Sequence, residues 1–236
     1  MLATFKIFRH NPETNESRYD RFQLEVDPME RILDVLERLK GEHDSTLTYR
    51  RSCAHGVCGS DGMKINGVNS LACQVLIRDL KGATITLDPL PGFAPLKDLA
   101  VDMQPFYRNL EAVTPWQVDS GAPMPALERR VDDAHSRRVE EASRCIQCGC
   151  CTSSCPSFWT NEQYLGPAAL VKAFRYVFDP RDQGNEQRRT VLNGERTGVW
   201  RCHTIFNCAE ACPKEIDTTY HIQELKRWLA TGETGV

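Results

Sequence analysis

Residues 145–156 read CIQCGCCTSSCP, which contains the pattern C-x2-C-x2-C-x3-C-P. The pattern is formed by Cys145, Cys148, Cys151 and Cys155. In such a run three thiolates bind one iron-sulfur cluster, and the fourth binds a neighbouring cluster. Cys150 falls outside the spacing, and we expect it to be a buried thiol packed beside a cluster. The stretch therefore predicts two clusters served by one segment of chain.

A second, incomplete run lies farther along the chain. Its members are Cys202, Cys208 and Cys212-Pro213, with Ile205 where another cysteine would fall. Applying the crossed ligand pattern, a complete 4Fe-4S cluster is bound by Cys145, Cys148, Cys151 and Cys212. Three thiolates remain and suit a 3Fe-4S cluster, namely Cys155, Cys202 and Cys208. Zinc in four-cysteine sites is the alternative, which two interlocked runs with Cys-Pro endings disfavour.

A third cysteine group lies near the N-terminus, in the stretch SCAHGVCGSDG at residues 52–62. Cys53, Cys58 and the distant Cys73 follow the plant-type ferredoxin spacing C-x4-C-x2-C, but Asp61 stands where one cysteine would be. The glycines allow backbone N–H groups to approach sulfur. We predict a 2Fe-2S cluster; three buried cysteines in a glycine-rich loop are the alternative. Asp61 either supplies the fourth ligand, which we favour, or caps the Asp-Gly turn.

The segments around this third group predict a β-grasp domain. Residues 4–8 and 22–26 alternate apolar and polar side chains and read as an antiparallel strand pair. Asp27 and Pro28 read as the start of a helix. The further predicted elements are a short strand at 47–50, a hairpin turn at Asn66-Gly67 and a strand at 84–87.

The second half of the chain reads as mostly helical. Prolines recur from Pro89 to Pro125 and interrupt regular structure, so we place the domain junction near residue 100. Helical spacing follows in residues 132–144, 167–178 and 218–230. The predicted fold class is α+β. It comprises a plant-type 2Fe-2S ferredoxin domain with a β-grasp fold (residues 1–100) and an all-α, bacterial-ferredoxin-like domain with the 4Fe-4S and 3Fe-4S clusters (residues 101–236).

The amino-acid composition and net charge of the chain disfavour some classes of function. The 236 residues are 41% hydrophobic and 26% charged, which is ordinary for a globular protein. A net charge of -3 gives no reason to expect nucleic-acid binding. No run approaches the roughly 20 apolar residues of a membrane span, and no signal peptide is evident. We therefore expect a cytoplasm-like compartment, in which the eleven cysteines would bind metal and not form disulfides.

A plant-type group followed by a modified pair of bacterial-ferredoxin runs resembles the iron-sulfur subunits of succinate dehydrogenase, across nearly the whole chain. The motifs that carry the resemblance are RRSC at 50–53, CGS at 58–60, CPSFW at 155–159, GP at 166–167 and RCH at 201–203. The resemblance implies a relay from succinate oxidation at an FAD-containing flavoprotein subunit, through the 2Fe-2S, 4Fe-4S and 3Fe-4S clusters, to quinone beside membrane-anchor subunits that can carry haem b. The dicarboxylate chemistry would then lie on the flavoprotein. We expect a peripheral protein on the cytoplasmic side of a cell inner membrane.

The resemblance also implies which residues lie at the quinone. They match Pro156, Trp159, His203 and Ile205 of this chain. A core aromatic role for Trp159 and a cluster-shielding role for His203 are the simpler alternatives. Members of the family often carry a second tryptophan after the first, where this chain has Thr160, a shorter donor.

Three other functions remain open at this point. The iron-sulfur subunit of fumarate reductase shares every cluster motif and runs the opposite reaction. A non-redox interaction module would use metal only to hold its fold. An independent diffusible ferredoxin is disfavoured by the size of the chain and by its proline-rich connector.

Overall fold

The computed structural model of the protein describes residues 1–119, 121 and 126–233. Pro123 and Pro125 of the predicted connector lie outside these residues. The chain forms two compact units: Met1–Met103 with Ile146–Ser154, and Gln104–Cys145 with Cys155–Val236. The domain division at residue 100 stays a prediction.

The first unit is built on a mixed five-stranded sheet. Its strands are β1 (Leu2–Asn11), β2 (Glu16–Glu25), β3 (Gly62–Ile65), β4 (Val68–Leu71) and β5 (Thr84–Asp88). They are arranged in the order β2-β1-β5-β3-β4, with β1 parallel to β5 and the other neighbours antiparallel. Two short strands, β6 (Pro95–Lys97) and β7 (Ala100–Val101), form a separate ribbon. The predicted strand pair and β-grasp sheet are confirmed.

Helices account for most of the remaining regular structure. They are α1 (Ile32–Arg38), α2 (Gln104–Ala112), α3 (Asp133–Ser143), α4 (Cys150–Ser153), α5 (Pro156–Trp159), α6 (Gly166–Val177), α7 (Asn185–Leu192), α8 (Asn207–Glu210) and α9 (Thr218–Thr231). The described residues also form a π-helical turn at Leu39–His43 and short 3-10 turns at Ile77–Asp79 and Val199–Arg201. No helix among the described residues is both long and apolar enough to span a membrane.

The side chains buried in the core of the first unit recur with the period of the strand or helix that carries them. Along β1 alternate side chains are buried, including Phe5 and Ile7. Helix α1 buries Ile32, Leu33 and Leu36. The two-residue turn at Asn66-Gly67 has positive φ at both positions, 46° and 89°, and joins β3 to β4 as predicted.

The predicted helix start at Asp27 is wrong. Asp27 is instead the first residue of a turn, in which its carbonyl accepts the N–H of Glu30 and its carboxylate accepts the N–H of Met29. Arg31 is extended and forms a β-bridge with Leu76, so the helix begins only at Ile32. The Asp-Pro signal marks a turn because tertiary pairing keeps the next residues extended.

The predicted strand at 47–50 is also absent. Leu47 is buried, but Thr48 bonds to a loop and not to a sheet. Its N–H donates to the Asp98 carboxylate at 2.8 Å, and its carbonyl accepts the N–H of Leu99 at 3.1 Å. The Thr48 N–H is thus bonded to a side-chain carboxylate, where a strand would require a backbone carbonyl of a neighbouring strand.

The second unit is helical, as predicted, and its centre is α6. This helix packs against α2, α3 and α9. The ring of Phe174 lies 4.6 Å from that of Phe178 and 4.3 Å from that of His221. Helix α2 was not predicted, although Pro105 stands in its first turn, where proline is tolerated.

Candidate iron-sulfur centres

The loop that begins at Cys53 surrounds one sulfur with backbone donors. The sulfur of Cys53 accepts N–H groups from His55, Val57 and Cys58 at 3.5, 3.4 and 3.3 Å. These bonds lower the pKa of the Cys53 thiol to about 6. Because the thiolate is the form that binds metal, the loop is prepared for a sulfur that carries negative charge.

Asp61 and Cys73 meet on the inner side of this loop. The Cys73 N–H donates to Oδ2 of Asp61 at 2.6 Å. Burial, followed by the neighbouring Asp61 carboxylate, raises the pKa of the Cys73 thiol to about 11, and the Gly56 N–H partly offsets this. Oδ1 of Asp61 is buried and has no hydrogen-bond partner among the described residues. A buried, unpartnered carboxylate oxygen is costly, and an iron ion would supply the missing partner.

Three cysteines of the second unit line one recess. Cys155, Cys202 and Cys208 share it with residues from α5, α8 and α9. Burial raises the pKa of the Cys155 thiol and, with the charges of the other two cysteines, raises that of Cys208 to about 11. A bound cation would offset the charge of the thiolates and so favour their ionised form, which is the form that binds iron.

Tyr164 is a member of this recess that sequence reasoning missed. It is fully buried, and its hydroxyl has no hydrogen-bond partner within the described part of the chain. Burial and the charges of the three cysteines, Cys202 first, raise its pKa, so the hydroxyl keeps its proton. An orphaned donor that faces several cysteines fits a sulfide or thiolate acceptor.

One face of α9 holds the loop that carries Cys202 and Cys208. The Lys226 ammonium donates to the Cys202 carbonyl at 2.8 Å. Gln223 donates to the Thr204 hydroxyl at 2.9 Å, and the Thr219 hydroxyl lies 3.7 Å from the Cys208 sulfur. The holding residues stand at positions i, i+4 and i+7 of the helix, the spacing of a single face. No signal in the cysteine pattern points to them.

The remaining predicted ligands are divided between the two units. Cys148 and Cys151 belong to the first unit, and Cys145 and Cys212 belong to the second. Cys148 is buried, and within the second unit the Lys172 ammonium donates to the Cys145 carbonyl at 3.3 Å. Their grouping into one ligand set therefore rests on their spacing in the sequence.

The number of cysteines in the recess bears on the choice between a cluster and zinc. Three cysteines line the recess. Structural zinc gathers four ligands around one atom, whereas a cluster spreads its protein ligands over several iron atoms. The three thiols therefore suit a cluster better than a four-cysteine zinc site.

The residues expected beside quinone fall into two groups. Pro156, His203 and Ile205 line the recess, and Ile205 is about half exposed. Trp159 is half exposed on α5 and is absent from the described residues that line the recess. The Thr160 hydroxyl lies 3.2 Å from the Ser157 carbonyl and accepts from a guanidinium N–H of Arg201 at 2.9 Å. The Thr160 hydroxyl proton is therefore directed into its own turn.

Comparisons with known families agree with the two regions. A family described as 2Fe-2S iron-sulfur cluster binding domain matches residues 4–108. A family described as 4Fe-4S dicluster domain matches residues 141–216. Both matches contain the cysteine groups described above.

Relatives of known name match almost the entire chain. The mitochondrial succinate dehydrogenase [ubiquinone] iron-sulfur subunit of Candida glabrata is 40% identical, over 97% of this chain and 92% of the relative. Subunit 1 of Oryza sativa subsp. japonica is 42% identical, over 95% of this chain and 81% of the relative. The fold is similar to a chain of the Mycobacterium smegmatis Sdh1 complex in the apo form, with a TM-score of 0.85, 24% identity and coverage of 99% and 98%.

Proposed function

The chain belongs to the family of succinate dehydrogenase iron-sulfur subunits, and on that basis we propose that it carries electrons from a flavoprotein partner to quinone. The observation that supports this most directly is identity of about 40% to named subunits over nearly the whole chain. Both cluster-binding regions lie within the matched length. Succinate is oxidised on the FAD-containing partner, so this chain acts as the electron-transfer subunit of the enzyme.

At the flavoprotein end, the 2Fe-2S cluster is held by Cys53, Cys58, Cys73 and Asp61. The clusters supply centres that accept and release one electron at a time. The backbone N–H groups directed at Cys53 favour the charged thiolate. The free oxygen of Asp61 supports its role as fourth ligand.

The second and third clusters are bound by the remaining cysteines. The 4Fe-4S ligands are Cys145, Cys148, Cys151 and Cys212, and the 3Fe-4S ligands are Cys155, Cys202 and Cys208. The shared recess supports the second set. Within it the buried Tyr164 hydroxyl offers a hydrogen bond to sulfur, and α9 keeps the cysteine loop in place.

The quinone end of the relay is formed by Pro156, Trp159, His203 and Ile205, beside membrane-anchor subunits that can carry haem b. Support comes from apolar side chains that remain half exposed near the recess, namely Trp159, Ile205 and Phe206. Such side chains favour a partner or an apolar ligand over water. We place the protein peripherally at the cytoplasmic face of a cell inner membrane, held there by the anchors.

The proposal is tested by low-temperature electron paramagnetic resonance of the anaerobically purified complex. An oxidised 3Fe-4S signal should disappear on addition of succinate, and a reduced 2Fe-2S signal should replace it. Clusters that ignore succinate but are oxidised by fumarate would instead identify a fumarate reductase. Absence of any cluster signal, with zinc found by metal analysis, would disprove the relay.

A further inference from the structure

Two cysteine-bearing segments of the first unit touch at Gly59 and Cys148. Gly59 is buried and has a φ of +68°. A Cβ atom at residue 59 would lie 2.8 Å from Cβ of Cys148, 2.9 Å from its Cα and 2.9 Å from the Ile146 carbonyl oxygen. Gly62 is nearly as close, since a Cβ there would lie 3.1 Å from the Cys148 carbonyl oxygen. Only glycine allows this approach of the two backbones.

The contact joins the ligand sets of two different clusters. Gly59 directly follows Cys58, which is assigned to the 2Fe-2S cluster, and Cys148 is assigned to the 4Fe-4S cluster. One peptide bond and one van der Waals contact therefore connect the two ligands. Tight packing without intervening space favours electronic coupling between the groups on either side.

The segment Ile146–Ser154 is fastened to the first unit at two further points. The buried amide of Asn69, on β4, donates to the Cys150 carbonyl at 3.3 Å and to the Ser154 hydroxyl at 2.8 Å. The Ser153 hydroxyl donates to the Pro91 carbonyl at 2.6 Å. These bonds hold Cys148 against Gly59, so the contact is fixed by its surroundings.

We propose that the Gly59–Cys148 contact is the route by which the electron passes from the first cluster to the second, with Asn69 as the positioning residue that maintains it. The inference rests on the proposed function. In the step, one electron leaves the reduced 2Fe-2S cluster and reduces the oxidised 4Fe-4S cluster. No bond forms or breaks, and no proton moves.

The test is Gly59→Ala in the complete complex. The added methyl group meets backbone and ligand atoms that cannot rotate away, so the two segments must separate. In dithionite-reduced complex, where both clusters are paramagnetic, we expect a loss of the spin-spin broadening between them. In rapid-freeze experiments with succinate, we expect 2Fe-2S reduction at the wild-type rate and several-fold slower 3Fe-4S reduction.

Two matched variants separate this effect from backbone strain. Gly67→Ala places alanine at a φ of +89° in a hairpin with nothing within 4 Å. Gly82→Ala places alanine at a φ of +89° just before β5, again with nothing within 4 Å. Both should retain the spin-spin broadening. Its loss in either variant would show that strain is sufficient and would overturn the proposal.

Asn69→Ala tests the same contact if Gly59→Ala fails to retain its 2Fe-2S cluster. The substitution removes two hydrogen bonds and leaves residues 53–62 unchanged. Loss of the spin-spin broadening with both clusters present would support the route. The route would be contradicted if a variant that retains both clusters kept the wild-type broadening and the wild-type rate of electron transfer. Wild-type complex without cluster signals would instead disprove the proposed function itself.

Discussion

The backbone N–H of Cys73 is bonded to one carboxylate oxygen of Asp61, while the other oxygen is buried and unpartnered among the described residues. The two carboxylate oxygens of Asp61 therefore have different roles. One oxygen orders the backbone at a cysteine that is itself a proposed ligand. The other is available to a metal, which makes the role of Asp61 open to direct test.

Replacing Asp61 with asparagine should change the potential of the 2Fe-2S cluster. The amide oxygen can still accept the Cys73 N–H, but the group is neutral and a poor iron ligand. We expect either loss of the cluster or a midpoint potential that is higher by on the order of 59 mV. For a one-electron couple this shift is a tenfold change in the equilibrium constant for reduction. Asp61→Cys keeps an anionic ligand and should retain the cluster at a shifted potential. An unchanged potential in a redox titration of both variants would leave Asp61 only the task of ordering the backbone.

Ile205→Cys should convert the 3Fe-4S cluster to a 4Fe-4S cluster. Ile205 lines the same recess as Cys155, Cys202 and Cys208. A thiolate at this position would complete a four-cysteine set. We expect the oxidised-state paramagnetic signal to vanish and a reduced-state signal to appear, with slower quinone reduction. Ile205→Val is the matched control and should keep the wild-type spectrum.

Removing the Lys226 ammonium should loosen the loop that carries Cys202. Lys226→Met keeps most of the aliphatic chain but leaves the Cys202 carbonyl without this donor. We expect a loss of about 1–3 kcal/mol of unfolding free energy and lower occupancy of the 3Fe-4S cluster. Arg227→Met removes one positive charge from the next residue, whose ion pair with Glu224 is exposed. Equal cluster occupancy in both variants, measured by spin quantitation, would contradict the holding role of Lys226.

The buried guanidinium of Arg9 should support the first unit in a pH-dependent way. It pairs with Asp20 and Asp98, each at 3.0 Å, and with Asp44. A hydrogen bond from Thr46, followed by one from Arg9, lowers the pKa of Asp44 from 3.8 to about 2. A lowered folded-state pKa stabilises the protein above the unfolded value, and this stability is lost as pH falls from about 4 toward 2.

Arg9→Met should therefore cost about 3 kcal/mol at neutral pH, because the buried Asp98 carboxylate is left without its cation. The cost should shrink below pH 4, because the Asp44 carboxylate, whose pKa Arg9 helps to lower, takes up a proton there. Denaturant unfolding followed by far-ultraviolet circular dichroism, at neutral pH and below pH 4, measures both effects. Arg18→Met, at an exposed side chain that also pairs with Asp20, should change stability little. A pH-independent cost would point to lost packing alone.

Local signals in the sequence were sufficient for much of the fold. The strand pair of β1 and β2 follows from alternation, and the Asn66-Gly67 turn follows from the positive φ that both residues tolerate. Helix α3 begins at the Asp132 cap, as its spacing predicted. The cluster types follow from cysteine spacing, because a cluster demands thiolates at short, regular separations.

Contacts distant in sequence decided what local signals could not. Arg31 remains extended because it pairs with Leu76, which moves the start of α1 past the proline signal at Asp27. The polar face of α9 and the buried hydroxyl of Tyr164 carry no motif, since their roles arise only when the chain brings them to the cysteines.

The sequence by itself determined the cysteine groups, the β-grasp strands and the helical second half, since each depends on neighbours within a few residues. Only the tertiary structure placed Gly59 against Cys148, 89 positions farther along the chain. A pattern of residues can specify which side chains bind a cluster. Distances between separate segments depend on packing of the whole unit, which no local pattern encodes.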